Sequence, residues 1–320
     1  MINGTAQNCY LCGNNELVVL RTRLRHDISR NVLECKNCGI VYLEPKGSDL
    51  KNFYGYEYRK LYTPVIGDVL NSKEIFDAYL PYQQKRIDEI RDIISSQMRV
   101  LEIGCAAGFF LYTLKDIVQE CIGLEFNKEN VEFVEKELGI KVYSDPIEKT
   151  DLPYEHFDMI TIYQAFEHIE DPIGFLKTIS LYLKNDGFLC IEVPNVQDAL
   201  LAIYKNEAYA GFYYRDPHIF YYSSETLTRV LKAGGFEGNT KLIQKYNFLN
   251  HLNWILTGKP QKDPETGRSK SKLIHSASVN KEIAGEFNQW IQKVDAEYKE
   301  LLNRHGFSDD VLFIGKKIKI

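Results

Sequence analysis

Nothing in these 320 residues reads as a membrane span. The longest strongly apolar stretch, Val100–Leu114, is interrupted by Glu102 and is too short to cross a bilayer. The opening MINGTAQNCY lacks a charged start followed by an apolar run, so no secretory signal is read and a cytoplasmic protein is expected. Positive charge is not in excess either. The formal net charge of −5 argues against broad binding to nucleic acid or to anionic membranes. There is no internal repeat and no low-complexity tract. Seven cysteines, an odd number, do not read as a disulfide framework. What is present is 44% hydrophobic and 26% charged residues, enough to bury a core and stay soluble, at a length suited to about two domains.

Four of the cysteines come in pairs. Cys9-x2-Cys12 and Cys35-x2-Cys38 are separated by twenty-two residues that hold two β-like runs, Glu16–Leu20 and Val32–Glu34. Two such knuckles can present four thiolates tetrahedrally to Zn2+, and Gly13 and Gly39 follow where each knuckle must turn tightly. Four protein ligands close the shell, so this zinc is expected to be structural. His26 is an alternative ligand. Two separate redox pairs are the competing reading, but neither pair opens a helix after a strand. Cys105, Cys121 and Cys190 lie in apolar contexts and read as buried small hydrophobes. Arg21, Arg23 and Arg25 between the knuckles read as a solvated strand face, with phosphate contact as the alternative.

Farther along, apolar runs at 99–103, 121–125, 140–143, 157–163 and 187–193 alternate with helical stretches. Phe109–Val118 is one helix. Asn127 caps a second, which ends before Gly139, and Asp171-Pro172 opens a third, which stops at Asn185–Gly187. A fourth runs from Ser223/Ser224 to Gly234-Gly235, then a strand near 239–246. Ile75–Ile94 reads as a helix upstream, with Ile87, Ile90 and Ile94 at helical spacing. Residues 248–310 hold a polar loop, Gly258–Lys272, and a helix around 281–304; Val311–Ile318 reads as a last strand. The pattern implies an α/β fold with a doubly wound, mostly parallel sheet. The expected layout is a zinc-binding domain at 1–45, a helical lid or linker at 46–98, a core at 99–247, a helical insertion at 248–310 and the last core strand at 311–320.

The strand Val100–Ile103 runs straight into Gly104-Cys105-Ala106-Ala107-Gly108 and then a helix. A glycine turn there lets the backbone approach a ligand, and the helix start aims N–H groups at negative charge. A dinucleotide fingerprint needs G-x-G-x-x-G, but Phe109 stands where the last glycine would fall. With Glu102 two residues before Gly104, the segment resembles motif I of the class I S-adenosylmethionine-dependent methyltransferases, Ala106 replacing a glycine. That resemblance implies a Rossmann-like sheet with an antiparallel last strand. It implies S-adenosyl-L-methionine as cofactor, held by Glu102, Gly104, Cys105, Ala106 and Gly108. Glu125 would take the ribose hydroxyls beside Phe126, Asp145-Pro146-Ile147 the adenine, and Gln164 would belong to the motif after the fourth strand, Gln164–Pro172.

Methyl transfer needs a positioned nucleophile and often a base near the C-terminal edge of the sheet. Glu167 and His168 lie there by sequence, and the intrinsic pKa of an imidazole suits a base at neutral pH. His218 is the second candidate base, within the aromatic stretch Tyr204–Tyr222. Aromatic faces with hydroxyl tips suit sugar rings; an ordinary packing cluster is the alternative. The cysteine spacing, Phe53-Tyr54-Gly55-Tyr56, motif I, Glu167-His168 and Pro217-His218 together resemble zinc-bearing methyltransferases of sugar and polysaccharide biosynthesis. In the sugar C-methyltransferases a tyrosine precedes the Glu-His pair; here it is Phe166, which favours O-methylation of a sugar over C-methylation. The acceptor would be a small molecule or a glycan. An RNA methyltransferase is opposed by the acidic balance and by Tyr163-Gln164-Ala165-Phe166 in place of an N/D-P-P-Y/F tetrapeptide. A non-catalytic cofactor-binding scaffold is the remaining alternative. No pattern sets the oligomeric state.

Overall fold

Two sheets with different pairing rules organise the chain. The computed structural model describes residues 8–45, 69–276 and 278–318. Phe53, Tyr54 and Tyr56, and residues 46–68 of the expected lid, lie outside the described residues. In order come β1 (Leu17–Arg23), β2 (Ser29–Cys35), β3 (Val41–Leu43), α1 (Ser72–Tyr79), α2 (Gln83–Ile90) and β4 (Arg99–Ile103). Then follow α3 (Phe109–Leu114), β5 (Glu120–Leu124), α4 (Lys128–Phe133), β6 (Val142–Tyr143), β7 (Phe157–Tyr163), α5 (Pro172–Ser180) and β8 (Leu183–Pro194). Next are α6 (Ala199–Ala202), α7 (Glu207–Tyr213), β9 (Phe220–Tyr221), α8 (Ser224–Ala233) and β10 (Phe236–Ile243). The chain finishes with α9 (Phe248–Thr257), α10 (Pro264–Arg268), α11 (Lys281–His305) and β11 (Asp310–Lys317). These elements divide between two compact units.

One unit gathers, among the described residues, 45, 69–193, 227–240 and 312–318 around a seven-stranded sheet of order β10-β11-β8-β7-β4-β5-β6. β4 pairs in parallel with β5 and β7, β5 with β6, and β7 with β8. Strands inside a parallel sheet are apolar along their length, and Val100, Leu101, Met159, Ile160, Ile162, Leu189 and Ile191 are buried. From β4 the chain winds outward through β5 to β6, then crosses back to β7 and on to β8. The reversal falls between β4 and β7, where open α/β sheets bind ligands beyond the strand C-termini. β11 enters between β8 and β10, completing a mixed Rossmann-like sheet with the antiparallel last strand.

Several boundaries differ from expectation. The helix read over Ile75–Ile94 is two helices broken by a turn at Leu80–Tyr82, and it ends at Ile90. Pro81 sits in that turn, offering no N–H for a helical bond. α3 stops at Leu114 rather than Val118, as the chain turns for the Gln119 N–H to donate to the Met98 carbonyl. α5 stops at Ser180, before Asn185–Gly187. Those turn-forming residues lie inside β8 instead, in an irregularity between the pairs Phe157–Leu183 and Met159–Phe188. β10 begins at Phe236, directly after Gly235 in its left-handed conformation. The expected caps are present: the Asn127 side chain accepts from the Asn130 N–H, and that of Asp171 from the Gly174 N–H.

The other unit gathers residues 8–44, 194–226 and 241–311. Its sheet is antiparallel in the order β1-β2-β3-β9. β9, far along the chain, pairs Tyr221 with Val41 and Phe220 with Tyr42. Leu24, Val32, Val41 and Leu43 bury against Tyr214 and Tyr221, so the cysteine-bearing segment shares its core with the 194–226 segment. α9 appears where sequence reasoning marked no helix, although Asn247 and Gly258 are its two caps.

Candidate active site and cysteine cluster

Four loops leave the C-terminal ends of the neighbouring parallel strands β6, β5, β4 and β7, and they carry the expected cofactor residues except Glu102, which lies within β4. The loop after β4 needs its glycines for local reasons. Gly104 has φ +74°, and a Cβ there would come 2.7 Å from the Ala165 Cβ in the loop after β7. Gly108, also at φ +74°, abuts Val134, which a Cβ would meet at 2.7 Å. Ala106 adopts φ +48°, a conformation that strains any residue with a Cβ. Its N–H donates to Glu125 Oε2 at 2.9 Å, while Glu125 Oε1 accepts from the Asn127 N–H at 2.7 Å. Two main-chain donors thus fix the Glu125 carboxylate, which has about four acceptor positions in all.

Neighbouring residues divide into surface and core. Phe126 is 38% exposed beside Glu125. Asp145 is exposed, Pro146 half-buried and Ile147 buried, with the Ile147 carbonyl accepting from the Tyr182 hydroxyl. The Cys105 side chain packs among Leu111, Val131, Val134, Ile140 and Val142. Any contact it makes with a ligand is therefore through the main chain. Cys190 is buried, as expected, while Cys121 is partly buried.

A polar layer lies on one face of the same sheet. Glu102 pairs with Thr161 across β4 and β7, and Tyr163 with Glu192 across β7 and β8, so their side chains share a face. Arg86 of α2 belongs to it: its Nη2 donates to Glu192 Oε1 at 2.7 Å, and its guanidinium lies 4.3 Å over the Tyr163 ring. Glu102 Oε2, Thr161 Oγ1 and the Tyr163 hydroxyl are buried without hydrogen-bond partners, an uncommon state that water or a ligand relieves. Burial pushes the Glu102 carboxyl up to about 8, against the pull of Arg86. Gln164 opens the adjoining loop at φ +58°, its N–H donating to the Glu192 carbonyl.

Glu167 and His168 sit on a 3-10 turn, Phe166–His168, directly after β7. Glu167 is buried, and its Oε1 lies 3.9 Å from His168 Nε2. His218 belongs to the unit containing the antiparallel sheet. It is buried, and its Nε2 accepts from Arg215 Nε at 2.7 Å, which assigns the ring proton to Nδ1. The tyrosine-rich stretch around it is largely packing. Tyr214 and Tyr221 line the core, Phe220 stacks on Tyr222, and Tyr209 and Phe212 pack on Trp254.

Cys9, Cys12, Cys35 and Cys38 bring four sulfurs within 4.8 Å of one another. Cys9 Sγ lies 3.6 Å from Cys38 Sγ, and Cys12 Sγ 3.6 Å from Cys35 Sγ. A disulfide would hold them near ~2.05 Å. Four sulfurs at ~2.3 Å around one zinc stand about 3.8 Å apart. The knuckles also match: the Gly13 N–H donates to the Cys9 carbonyl and the Gly39 N–H to the Cys35 carbonyl, both at 2.8 Å, with φ of +70° and +73°. The four thiols could hold one zinc ion. His26 is not in this sulfur group.

Residues 76–241, just over half of the chain, match a family described as a methyltransferase domain. The chain belongs to that methyltransferase family. Among its curated relatives is the uncharacterised methyltransferase YcgJ of Bacillus subtilis, 29% identical over 201 residues, covering 60% of this chain and 76% of that one. The mitochondrial ubiquinone biosynthesis O-methyltransferase of Bos taurus is 25% identical over 177 residues, 50% of this methyltransferase and 47% of that protein. The chain thus spans about half the length of that relative. A solved structure of a SAM-dependent methyltransferase from Archaeoglobus fulgidus is similar with a TM-score of 0.47 and 24% identity, over 77% of this chain and 97% of that one.

Sequence reasoning missed two residues of the methyltransferase's polar layer, Arg86 and Glu192. A signal existed for each. Glu192 interrupts the apolar run of β8, and Arg86 falls between the buried Gln83, Ile87 and Ile90 on the inward side of α2.

Proposed function

We propose that this methyltransferase takes the methyl group of S-adenosylmethionine and transfers it to a hydroxyl oxygen of a sugar, in a nucleotide sugar or a polysaccharide unit. The observation that carries the donor is the pinned Glu125 carboxylate beside the Gly104–Gly108 loop at the strand reversal. An acid so placed can accept both ribose hydroxyls. Gly104, Ala106 and Gly108 contribute main-chain approach, with Cys105 doing so through its backbone alone. Phe126, Asp145, Pro146, Ile147 and Gln164 complete the rim, and Glu102 lies beneath it.

His168 is the base of this reading and Glu167 holds its ring. His218 is disfavoured, because its one acceptor nitrogen already faces the Arg215 guanidinium. Relatives named as ubiquinone biosynthesis O-methyltransferases support oxygen as the acceptor atom, and they also favour a second reading, a hydroxyl of a ubiquinone-biosynthesis intermediate. Cys9, Cys12, Cys35 and Cys38 hold a structural zinc ion, and no step of the reaction passes through it.

Calorimetric titration with S-adenosylmethionine and S-adenosylhomocysteine tests the donor; absence of binding to both sinks the reading. Mass spectrometry of products from nucleotide sugars, glycans and ubiquinone-biosynthesis intermediates, incubated with labelled cofactor, separates the two acceptors. His168→Ala is expected to lose most turnover while retaining cofactor, and His218→Ala to keep turnover wherever it folds.

A further inference from the structure

α11 carries two apolar faces, and among the described residues only one is buried against the rest of the chain. Ile291 and Leu302 are buried, and Asp295 between them anchors the helix: Oδ1 accepts from the Phe248 N–H at 2.7 Å, and Oδ2 pairs with Lys299 at 3.1 Å. The second face is out in the open. Ile283 is 50% exposed, Phe287 51% and Trp290 56%, with Val294 half-buried after them. Their spacing of four, three and four residues is the a/d seam of a two-stranded coiled coil. Large apolar side chains this exposed, and contiguous, mark a contact surface rather than a solvated one.

The charges beside the seam say what fits it. Glu286 and Lys293, both exposed, occupy equivalent flanking positions one heptad apart. We propose that a second copy of this chain docks here, α11 against α11 and antiparallel. Phe287 then meets the partner's Trp290, and Ile283 meets the partner's Val294, each layer occurring twice about the twofold axis. In that register Glu286 lies beside the partner's Lys293, and Lys293 beside the partner's Glu286. A parallel pair would instead set Glu286 beside the partner's Ile291 and Lys293 beside the partner's Tyr298, with no opposite charges matched. The face is self-complementary in the antiparallel sense alone, which is the demand an isologous dimer makes. Four layers make a contact below the roughly 800 Å² per partner of ordinary stable interfaces, so the dimer should dissociate on dilution through the micromolar range.

Sedimentation velocity from about 1 to 100 μM tests this, because dissociation constants near micromolar fall in that window. The wild type is expected to shift from monomer to dimer. Glu286→Lys and Lys293→Glu should each weaken association at least about tenfold, through two repulsive pairs. The double variant, carrying both reversals, should return it to near the wild-type value. Trp290→Ser should leave a monomer with an unchanged circular dichroism spectrum, since Trp290 is exposed and its loss costs little in folding. A monomer throughout the range overturns the proposal. So does a dimer indifferent to these substitutions, or a double variant as weak as the single ones.

Discussion

Left-handed backbone at position 106 is where the cofactor loop stores strain. Ala106 at φ +48° costs on the order of 1 kcal/mol that glycine would not. Ala106→Gly is therefore expected to leave stability unchanged or raise it by up to about 1 kcal/mol, with S-adenosylmethionine still bound. Gly104→Ala should do the opposite. It adds left-handed strain and drives a Cβ to 2.7 Å from Ala165, a loss of about 2 kcal/mol or more together with weakened cofactor binding. Urea unfolding with calorimetry measures both, and a Gly104→Ala variant as stable as the wild type would refute the steric account. These glycines were legible because turn geometry is local. The reason for Gly108 was not, since Val134 comes from the turn that extends α4, farther along the chain.

The pairing of α2 with the sheet belongs to the scale of elements. Glu192 is buried and Arg86 partly so, and the two are 106 positions apart in sequence. Arg86→Ala strands a buried carboxylate, and a loss of about 3–5 kcal/mol is expected, with loss of activity through displacement of α2. Replacing both residues by leucine should recover much of the stability without the activity. If the single and double variants unfold alike, the pair does not clamp the helix.

α9 offers a second test at this scale. His251 is buried, its Nδ1 2.7 Å from the Tyr298 hydroxyl, and burial lowers its pKa to about 4, with Lys299 adding to the shift. The unfolded chain takes up this proton near pH 6.5, the folded chain only near 4, so the contribution is complete above 6.5 and is lost as pH falls toward 4. Wild type should lose on the order of 3 kcal/mol relative to His251→Gln across that window, read from unfolding free energies at each pH. A constant difference between the two proteins would count against a neutral buried histidine. Periodicity found most elements here. It misplaced their ends where a remote partner decides: β8 absorbs Asn185–Gly187 because β7 lies alongside it.

For the whole molecule, the alternating pattern from residue 99 onward displayed the sheet, because each strand and helix there is one continuous run. The antiparallel-sheet unit was hidden, because Tyr42 and Phe220 are neighbours only after folding. With zinc bound as proposed, the cysteine cluster would brace the sheet in which β3 pairs with the distant β9. Structural zinc can supply on the order of 10 kcal/mol. Chelation is expected to lower the thermal midpoint and to weaken near-ultraviolet dichroism from the tyrosines of that unit. Metal analysis should find one zinc per chain. Less than half an equivalent after gentle preparation, or an unaltered midpoint after chelation, would remove the metal from the account.

The lateness of β9 also bears on synthesis. Cys38 leaves the ribosome about 180 residues ahead of Phe220, the strand beside which β3 finally rests. At roughly 5–20 residues per second, that is about 10–40 s during which four thiols await their last neighbour. Metal capture during elongation would shield them from oxidation through this interval. Zinc-starved cells should then accumulate chains damaged at the nascent stage, before a finished protein exists to lose its ion.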